Sequence, residues 1–161
     1  SSRTLKAYSL YLKHSEKKRP LLIADLSEDK LERYPTRATD RRDQAFLSYP
    51  GYIPNTDLAY LYNGAFAFLY TSLRESFGIP LLEARLAAHC NYGEHIRNAR
   101  DSMVEGGILV DPLSEKESQK ILYLERDQIF YQNQIEYGLN RVKRFSWSQT
   151  AENLLTLYKT I

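Results

Sequence analysis

The segment Ala65-Phe66-Ala67-Phe68-Leu69-Tyr70 is apolar at every position. A strand apolar on both faces suits an internal position of a parallel sheet; one with a wet face would alternate instead. Three more short apolar runs of strand length follow the same habit: Leu21-Leu22-Ile23-Ala24, Ala45-Phe46-Leu47 and Ile108-Leu109-Val110. Longer amphipathic stretches separate them. Leu5, Tyr8 and Leu12 fall at i, i+3 and i+7 and predict a helix over 3–17. The basic run Lys13 to Arg19 closes it, with Pro20 as the stop. Ser27 predicts the cap of a short helix to Tyr34. Asn55 predicts the cap of another to Asn63, with Leu58, Leu61 and Tyr62 on one face. A further helix starts near Gly78-Ile79-Pro80, where proline's missing N–H costs nothing. Two helices close the chain, one over about 114–140 with room for a break, one from Ser146 to Thr160 capped by Ser146 or Ser148.

Strand and helix in alternation predict an α/β fold, a Rossmann-like parallel sheet with helices on both faces and right-handed crossovers. Ligands bind at the carboxyl ends of the strands in such a sheet, so the loops after Asp25, Leu47, Tyr70 and Val110 are the candidates. At 161 residues the chain is one domain or one half of a two-domain enzyme. Hydrophobic residues at 43% and charged residues at 26% exclude a disordered or collagen-like chain. A net charge of +2 gives no reason to expect nucleic acid. The single cysteine, Cys90, excludes an internal disulfide and permits a reducing setting. No apolar run reaches the roughly 18 residues of a membrane span. Thirteen tyrosines against six phenylalanines suit half-buried surfaces and ligand clefts, and read first as ordinary amphipathic surface positions.

The loop after the third strand run is the most informative stretch. It turns through Gly78 into a helix, whose N-terminal N–H groups and partial positive charge suit a phosphate. Gly78 permits close backbone approach. Glu75 lies just before that N-terminus and Glu83 early in the helix, so both carboxylates can converge near one ligand. A carboxylate accepts from vicinal hydroxyls, and an anion pocket flanked by two such groups fits a nucleotide-sugar. The competing reading makes Glu75 a loop charge and Glu83 a solvated helix charge.

The run Glu75-Ser76-Phe77-Gly78-Ile79-Pro80-Leu81-Leu82-Glu83 resembles the Glu, seven residues, Glu motif of the family 4 (group 1) retaining GT-B glycosyltransferases. Three flanking segments agree in type and order: Pro50-Gly51-Tyr52-Ile53-Pro54 with Asp57 to Tyr62, Gly107 to Pro112, and Phe145-Ser146-Trp147 with Thr150, Ala151, Leu157 and Tyr158. The resemblance implies the C-terminal, donor-binding half of a GT-B enzyme. It implies transfer of a hexose-type sugar from a UDP- or GDP-linked donor, with retained configuration, to a saccharide or lipid-linked acceptor. By position, Glu75 would be the catalytic contact to the donor sugar. Ser76, Phe77, Gly78 and Ile79 would lie along the sugar and diphosphate, Glu83 would hold the ribose hydroxyls, and Gly51, Tyr52 and Ile53 would lie against the base. No metal and no other cofactor is expected, because family members generally stabilise the leaving diphosphate with protein charge and helix dipole. Family habit also implies a cytoplasmic setting, with peripheral contact to the inner face of the membrane, and polysaccharide biosynthesis. A GT-B sugar epimerase is a weaker alternative, against which the Phe145-Ser146-Trp147 pattern argues. A non-catalytic Rossmann-like binding or structural module is the alternative from another class.

Two departures qualify the resemblance. The residues 1–161 read as a single nucleotide-sugar-binding domain truncated at its N-terminus. The first strand, the basic pair near it and the acceptor domain are all missing, so the piece alone is expected to be inactive. The second departure is 88–106, which reads as polar and without a strand pattern, leaving a central sheet position unfilled. Permitted codons for Ala88 to Ser102, read one base later, give Pro-Thr-Val-Ile-Thr-Ala-Asn-Thr-Ser-Ala-Met-Pro-Glu-Ile-Val, which is close to the family pattern. The hypothesis is a local frameshift over about 85–105; recovery of a tryptic peptide Leu86 to Arg97 with the residues as written would refute it. His89, Cys90, Glu94 and His95 match no zinc spacing, and neighbours in sequence seldom form a cysteine–histidine pair. The basic runs Lys13 to Arg19 and Arg37 to Arg42 read as solvated faces.

Overall fold

The computed structural model describes residues 2–24, 42–70, 77–87, 90–94, 107–110 and 120–160. The predicted helix Ser27 to Tyr34 and the site residues Glu75 and Ser76 lie outside the described residues. Helix α1 spans Ser2–His14 and buries Leu5, Tyr8, Tyr11 and Leu12, the face its periodicity predicts. It stops at His14 rather than at 17 for a local reason. The Ser15 hydroxyl accepts from the backbone N–H of Lys17 and Lys18, at 3.2 and 3.0 Å, offering the chain an alternative to another helical turn. Lys18 then takes a left-handed φ of 42° and the chain leaves the helix.

Strand β1 (Leu21–Ala24) has the predicted bounds and pairs in parallel with β2 (Leu47–Gly51). The strand expected at Ala45-Phe46-Leu47 is a correction: Asp43–Phe46 is a 3-10 turn and the strand begins only at Leu47. Pro50 stands inside β2, with no N–H to give to a ladder. It is tolerated because, among the described residues, β2 pairs on one side only. Gly51 closes the strand at φ 73°. Helix α2 spans Asn55–Gly64, and Pro54, not Asn55, holds the cap position. The Pro54 carbonyl accepts from Asp57 and Leu58, and no side chain caps the helix.

Strands β3 (Ala67–Tyr70), β4 (Cys90–Glu94) and β5 (Gly107–Val110) form a parallel ladder in that order. The expectation that 88–106 leaves a sheet position unfilled is therefore corrected: Cys90–Glu94 occupies it, paired to β3 and to β5. Its backbone meets a ladder on each side, and that decides against its weak strand composition. Among the described residues no ladder joins β1 to β3. The observed orders β2-β1 and β3-β4-β5 match the 3-2 and 4-5-6 segments of a doubly wound 3-2-1-4-5-6 sheet. All four residues of β3 are half-buried, less covered than the apolar run predicts.

Helix α3 (Ile79–Leu86) follows β3, with Leu81, Leu82, Ala84 and Arg85 buried. The long C-terminal helix divides into α4 (Ile121–Arg126) and α5 (Gln128–Val142) at Asp127. Asp127 is extended there (φ −115°, ψ 95°), and its carboxylate accepts from the Phe130 N–H at 2.8 Å, capping α5. Helix α6 (Trp147–Thr160) is capped by Ser146, whose hydroxyl accepts from the Gln149 N–H. The core joins Tyr8, Tyr11 and Leu12 of α1 to Leu21 of β1, Ile108 of β5, and Ile121, Leu122 and Leu124 of α4.

Candidate functional site

The site gathers at the carboxyl ends of β2 and β3, where a parallel α/β sheet places its ligand loops. Gly78 is buried, sits at the cap position of α3 and has a left-handed φ of 85°. A residue with a Cβ adopts that conformation only at a cost, so glycine sets the turn. Pro80 occupies the first turn of α3, and the Leu81 N–H bonds the Gly78 carbonyl at 3.0 Å. The N-terminus of α3 is thus aimed by the turn that follows β3, with the partial positive charge of a helix start. Phe77 and Ile79 flank it and are both exposed. The Phe77 ring meets Phe145 edge-on at 5.4 Å, and the Arg141 guanidinium lies 5.3 Å from the Phe145 ring centre. The segment before α6 therefore braces the glycine turn.

Glu83 lies one turn into α3 and is exposed. Its Oε2 accepts from the Tyr62 hydroxyl of α2 at 3.2 Å. The Tyr62 ring packs edge-on against Phe68 of β3, centroids 5.4 Å apart. Burial, and then the Glu83 charge, push the Tyr62 hydroxyl up to about 12, so it stays a donor at neutral pH. The other predicted loop carries Gly51, Tyr52 and Ile53. Tyr52 is 79% exposed, whereas Ile53 is buried, so the loop offers solvent the tyrosine ring and not the isoleucine.

Of the predicted site residues, Phe77, Gly78, Ile79 and Glu83 share the start of α3, and Gly51, Tyr52 and Ile53 lead into α2. Glu83 meets α2 at Tyr62, near the end of that helix remote from the Gly51–Ile53 loop; the sequence places Tyr62 only on a helix face beside Leu58 and Leu61. Phe145 was likewise visible only as part of a family pattern, without its partner Phe77.

Fold and site together define a class: a doubly wound parallel α/β domain whose glycine-initiated helix opens at the carboxyl end of a strand. The family follows from comparison with known proteins. The model for "Glycosyl transferases group 1" matches residues 2–141, and the chain belongs to that family. The chain is similar to O-antigen chain mannosyltransferase B of Escherichia coli, 28% identical over 161 residues, covering 98% of this chain and 42% of that protein. The chain thus spans less than half the length of that curated relative. Among solved structures it resembles the C-terminal domain of the group 1 family protein LpcC from Francisella tularensis. The TM-score is 0.72 at 19% identity, over 89% of this chain and 77% of that one. It also resembles Anabaena HepE, solved in complex with UDP, with TM-score 0.80 at 14% identity over 97% of this chain and 44% of that one. The fold is that of a GT-B glycosyltransferase half. Among the described residues no helix is long and apolar enough to cross a membrane.

Proposed function

We propose that these residues form the nucleotide-sugar-binding, C-terminal half of a retaining hexosyltransferase, with UDP- or GDP-linked sugar as donor and a saccharide or lipid-linked acceptor. The observation that carries the reading is the Gly78 turn, which aims α3 from the carboxyl end of β3, with Glu83 tethered one turn along it. The N–H groups at the start of α3 receive the diphosphate and stabilise its charge as the sugar–phosphate bond breaks, with no metal required. The Glu83 carboxylate accepts from the ribose hydroxyls, Tyr52 lies against the base, and Glu75 contacts the donor sugar. The acceptor hydroxyl forms the new bond to the anomeric carbon on the same face as the sugar–phosphate bond breaks, and its proton passes to the departing diphosphate oxygen. The O-antigen mannosyltransferase relative and the neighbour that binds UDP support this reading, and a polysaccharide or lipid-linked acceptor is in keeping with the former.

The chain is the donor half of a longer polypeptide in this reading. The match of 98% of this chain to 42% of the O-antigen mannosyltransferase relative supports it. These 161 residues alone are then inactive, and the full polypeptide works in the cytoplasm, in peripheral contact with the membrane. The test is Glu75→Ala in the full-length polypeptide. Sugar transfer falls by at least about a hundredfold while the melting temperature holds, and the wild-type product keeps the donor's anomeric configuration by NMR. Near-normal turnover in the variant refutes the assignment of Glu75. Nucleotide binding without transfer by the wild type would indicate a non-catalytic module instead.

A further inference from the structure

An exposed glutamate on a helix samples many rotamers, and a ligand that needs one of them must stop that motion on binding. Glu83 is exposed on α3, yet its carboxylate is not left to wander. The Tyr62 hydroxyl donates to Oε2 at 3.2 Å. Tyr62 is itself fixed from the other side: its ring meets Phe68 of β3 at 83° and 5.4 Å, and Phe68 in turn lies against Tyr70 at 5.7 Å. The three elements α2, β3 and α3 thus converge on one carboxylate. A carboxylate has about four acceptor positions on its two oxygens, and Tyr62 occupies one. Those that remain match the two donors of a vicinal diol. A phenol whose proton is held against ionisation keeps this role throughout the neutral range.

We infer that Tyr62 is the positioning residue that presents the Glu83 carboxylate to the ribose diol of a bound nucleotide. The inference rests on the reading that Glu83 takes the ribose hydroxyls, and deepens it by naming what makes that recognition specific for ribose. Tyr62 touches no ligand. It acts by holding Glu83, so its removal weakens the hydroxyl contacts alone and leaves base and diphosphate contacts intact.

The experiment is a cycle between protein and ligand. UDP and GDP, and the 2′-deoxy and 3′-deoxy forms of each, are titrated calorimetrically into the full-length polypeptide as wild type, Tyr62→Phe and Glu83→Ala. Tyr62→Phe keeps the ring against Phe68, and its melting temperature checks that the fold is retained. In the wild type, loss of a ribose hydroxyl weakens binding of the preferred nucleotide about tenfold, as a hydrogen bond to a charged acceptor would. In Tyr62→Phe that ratio shrinks to about threefold, with the affinity for the deoxy nucleotides unchanged. In Glu83→Ala it disappears. If Tyr62→Phe weakens ribo and deoxy forms equally, Tyr62 is merely structural and the inference is overturned while the Glu83 reading stands. If the wild type does not distinguish ribo from deoxy forms, or binds neither UDP nor GDP, the Glu83 reading itself fails and the inference falls with it.

Discussion

The carboxylate of Glu125 in α4 is 6% exposed and binds three partners from the end of α1 and the entry to β1. It accepts from the Tyr11 hydroxyl at 2.6 Å, the Ser15 hydroxyl at 2.7 Å and the Arg19 Nε at 3.2 Å. Tyr11 and Ser15 are buried, and Arg19 is 39% exposed. That difference decides the energetics. A hydrogen bond to a charged group contributes about 1.5–3 kcal/mol, and a buried hydroxyl stripped of its acceptor finds no water in exchange. Arg19 can be solvated, so its ion pair contributes under about 1 kcal/mol. Its contact over the Phe66 ring at 3.9 Å adds a similar amount. Glu125→Ala should therefore cost about 4 kcal/mol, Glu125→Gln about half of that because one acceptor oxygen remains, and Arg19→Met about 1 kcal/mol. Against a domain stability of about 5–15 kcal/mol the first is a large fraction. Urea unfolding followed by far-UV circular dichroism measures all three. This knot is also a bridge between the β1–β2 and β3–β4–β5 ladders, which no hydrogen-bonded pairing joins among the described residues. Glu125→Ala should thus lower the m-value and release the β1 amides to exchange before those of β3. If Arg19→Met costs as much as Glu125→Ala, the ion pair and not the hydroxyl pair holds the knot, and the reasoning fails.

Two glycines at opposite ends of the same segment should respond with opposite signs. A Cβ at Gly51 or at Gly64 meets nothing within 4 Å, so only backbone conformation matters. Gly51→Ala forces a φ of 73° on a chiral residue and should cost about 1 kcal/mol. Gly64→Ala at the end of α2 should gain about 0.5–1 kcal/mol, and melting temperatures moving in the same direction would contradict the assignment. Alkali supplies the other test. Tyr62 ionises at about 12 in the folded chain against 10.0 unfolded, so the unfolded state releases its proton first. The stability from Tyr62 is complete below pH 10.0 and is lost as pH rises towards about 12. Tyr8 and Tyr11, raised chiefly by burial, add losses of the same sign. Tyr62→Phe should flatten the fall in urea midpoint across that window, and an unchanged slope would show that Tyr62 ionises no later than in the unfolded chain.

Where structure follows from neighbours in sequence, the chain is readable. The apolar runs at Leu21 and Ile108 became β1 and β5, the run from Ala65 became β3 only from Ala67, since Ala65 caps α2, and Gly78 before Pro80 became the turn into α3. Boundaries set by a single side-chain bond were not readable in advance: the Ser15 hydroxyl that stops α1, and the Asp127 cap that divides α4 from α5. Contacts between distant segments left no trace at all. Tyr11 reaches Glu125 across 114 positions, and Tyr62 reaches Glu83 across 21. A tyrosine at helical spacing beside Leu58 and Leu61 reads as core, and only tertiary distance shows that its hydroxyl serves a carboxylate.

Strand β4 shows which information fills a sheet position. Cys90-Asn91-Tyr92-Gly93-Glu94 is a poor strand by composition, with asparagine, glycine and glutamate all disfavoured. It nevertheless pairs Ala67 with Cys90 through Tyr70 with Gly93 on one side, and Asn91 with Gly107 through Glu94 with Val110 on the other. The shifted reading frame would put Val-Ile-Thr at positions 90 to 92, inside this same strand. The position is therefore specified by the ladders of β3 and β5 and by the short path from α3, with local sequence a weaker influence. Between β1 and β3 the described residues have no such ladder, and side chains do the joining: the Glu125 knot and the stack of Arg19 on Phe66 on Tyr131. The candidate site straddles that same boundary, with Gly51 ending the first ladder, Tyr52 just beyond it, and Gly78 following β3 of the second. Helix α2 is the covalent crossing from one to the other. Its Tyr62, bonded to Glu83, ties the crossing to α3 as Glu125 ties α1 to α4. Among the described residues, then, two carboxylates do the tying: Glu83 fastens the crossing helix to α3, and Glu125 fastens α1 to α4.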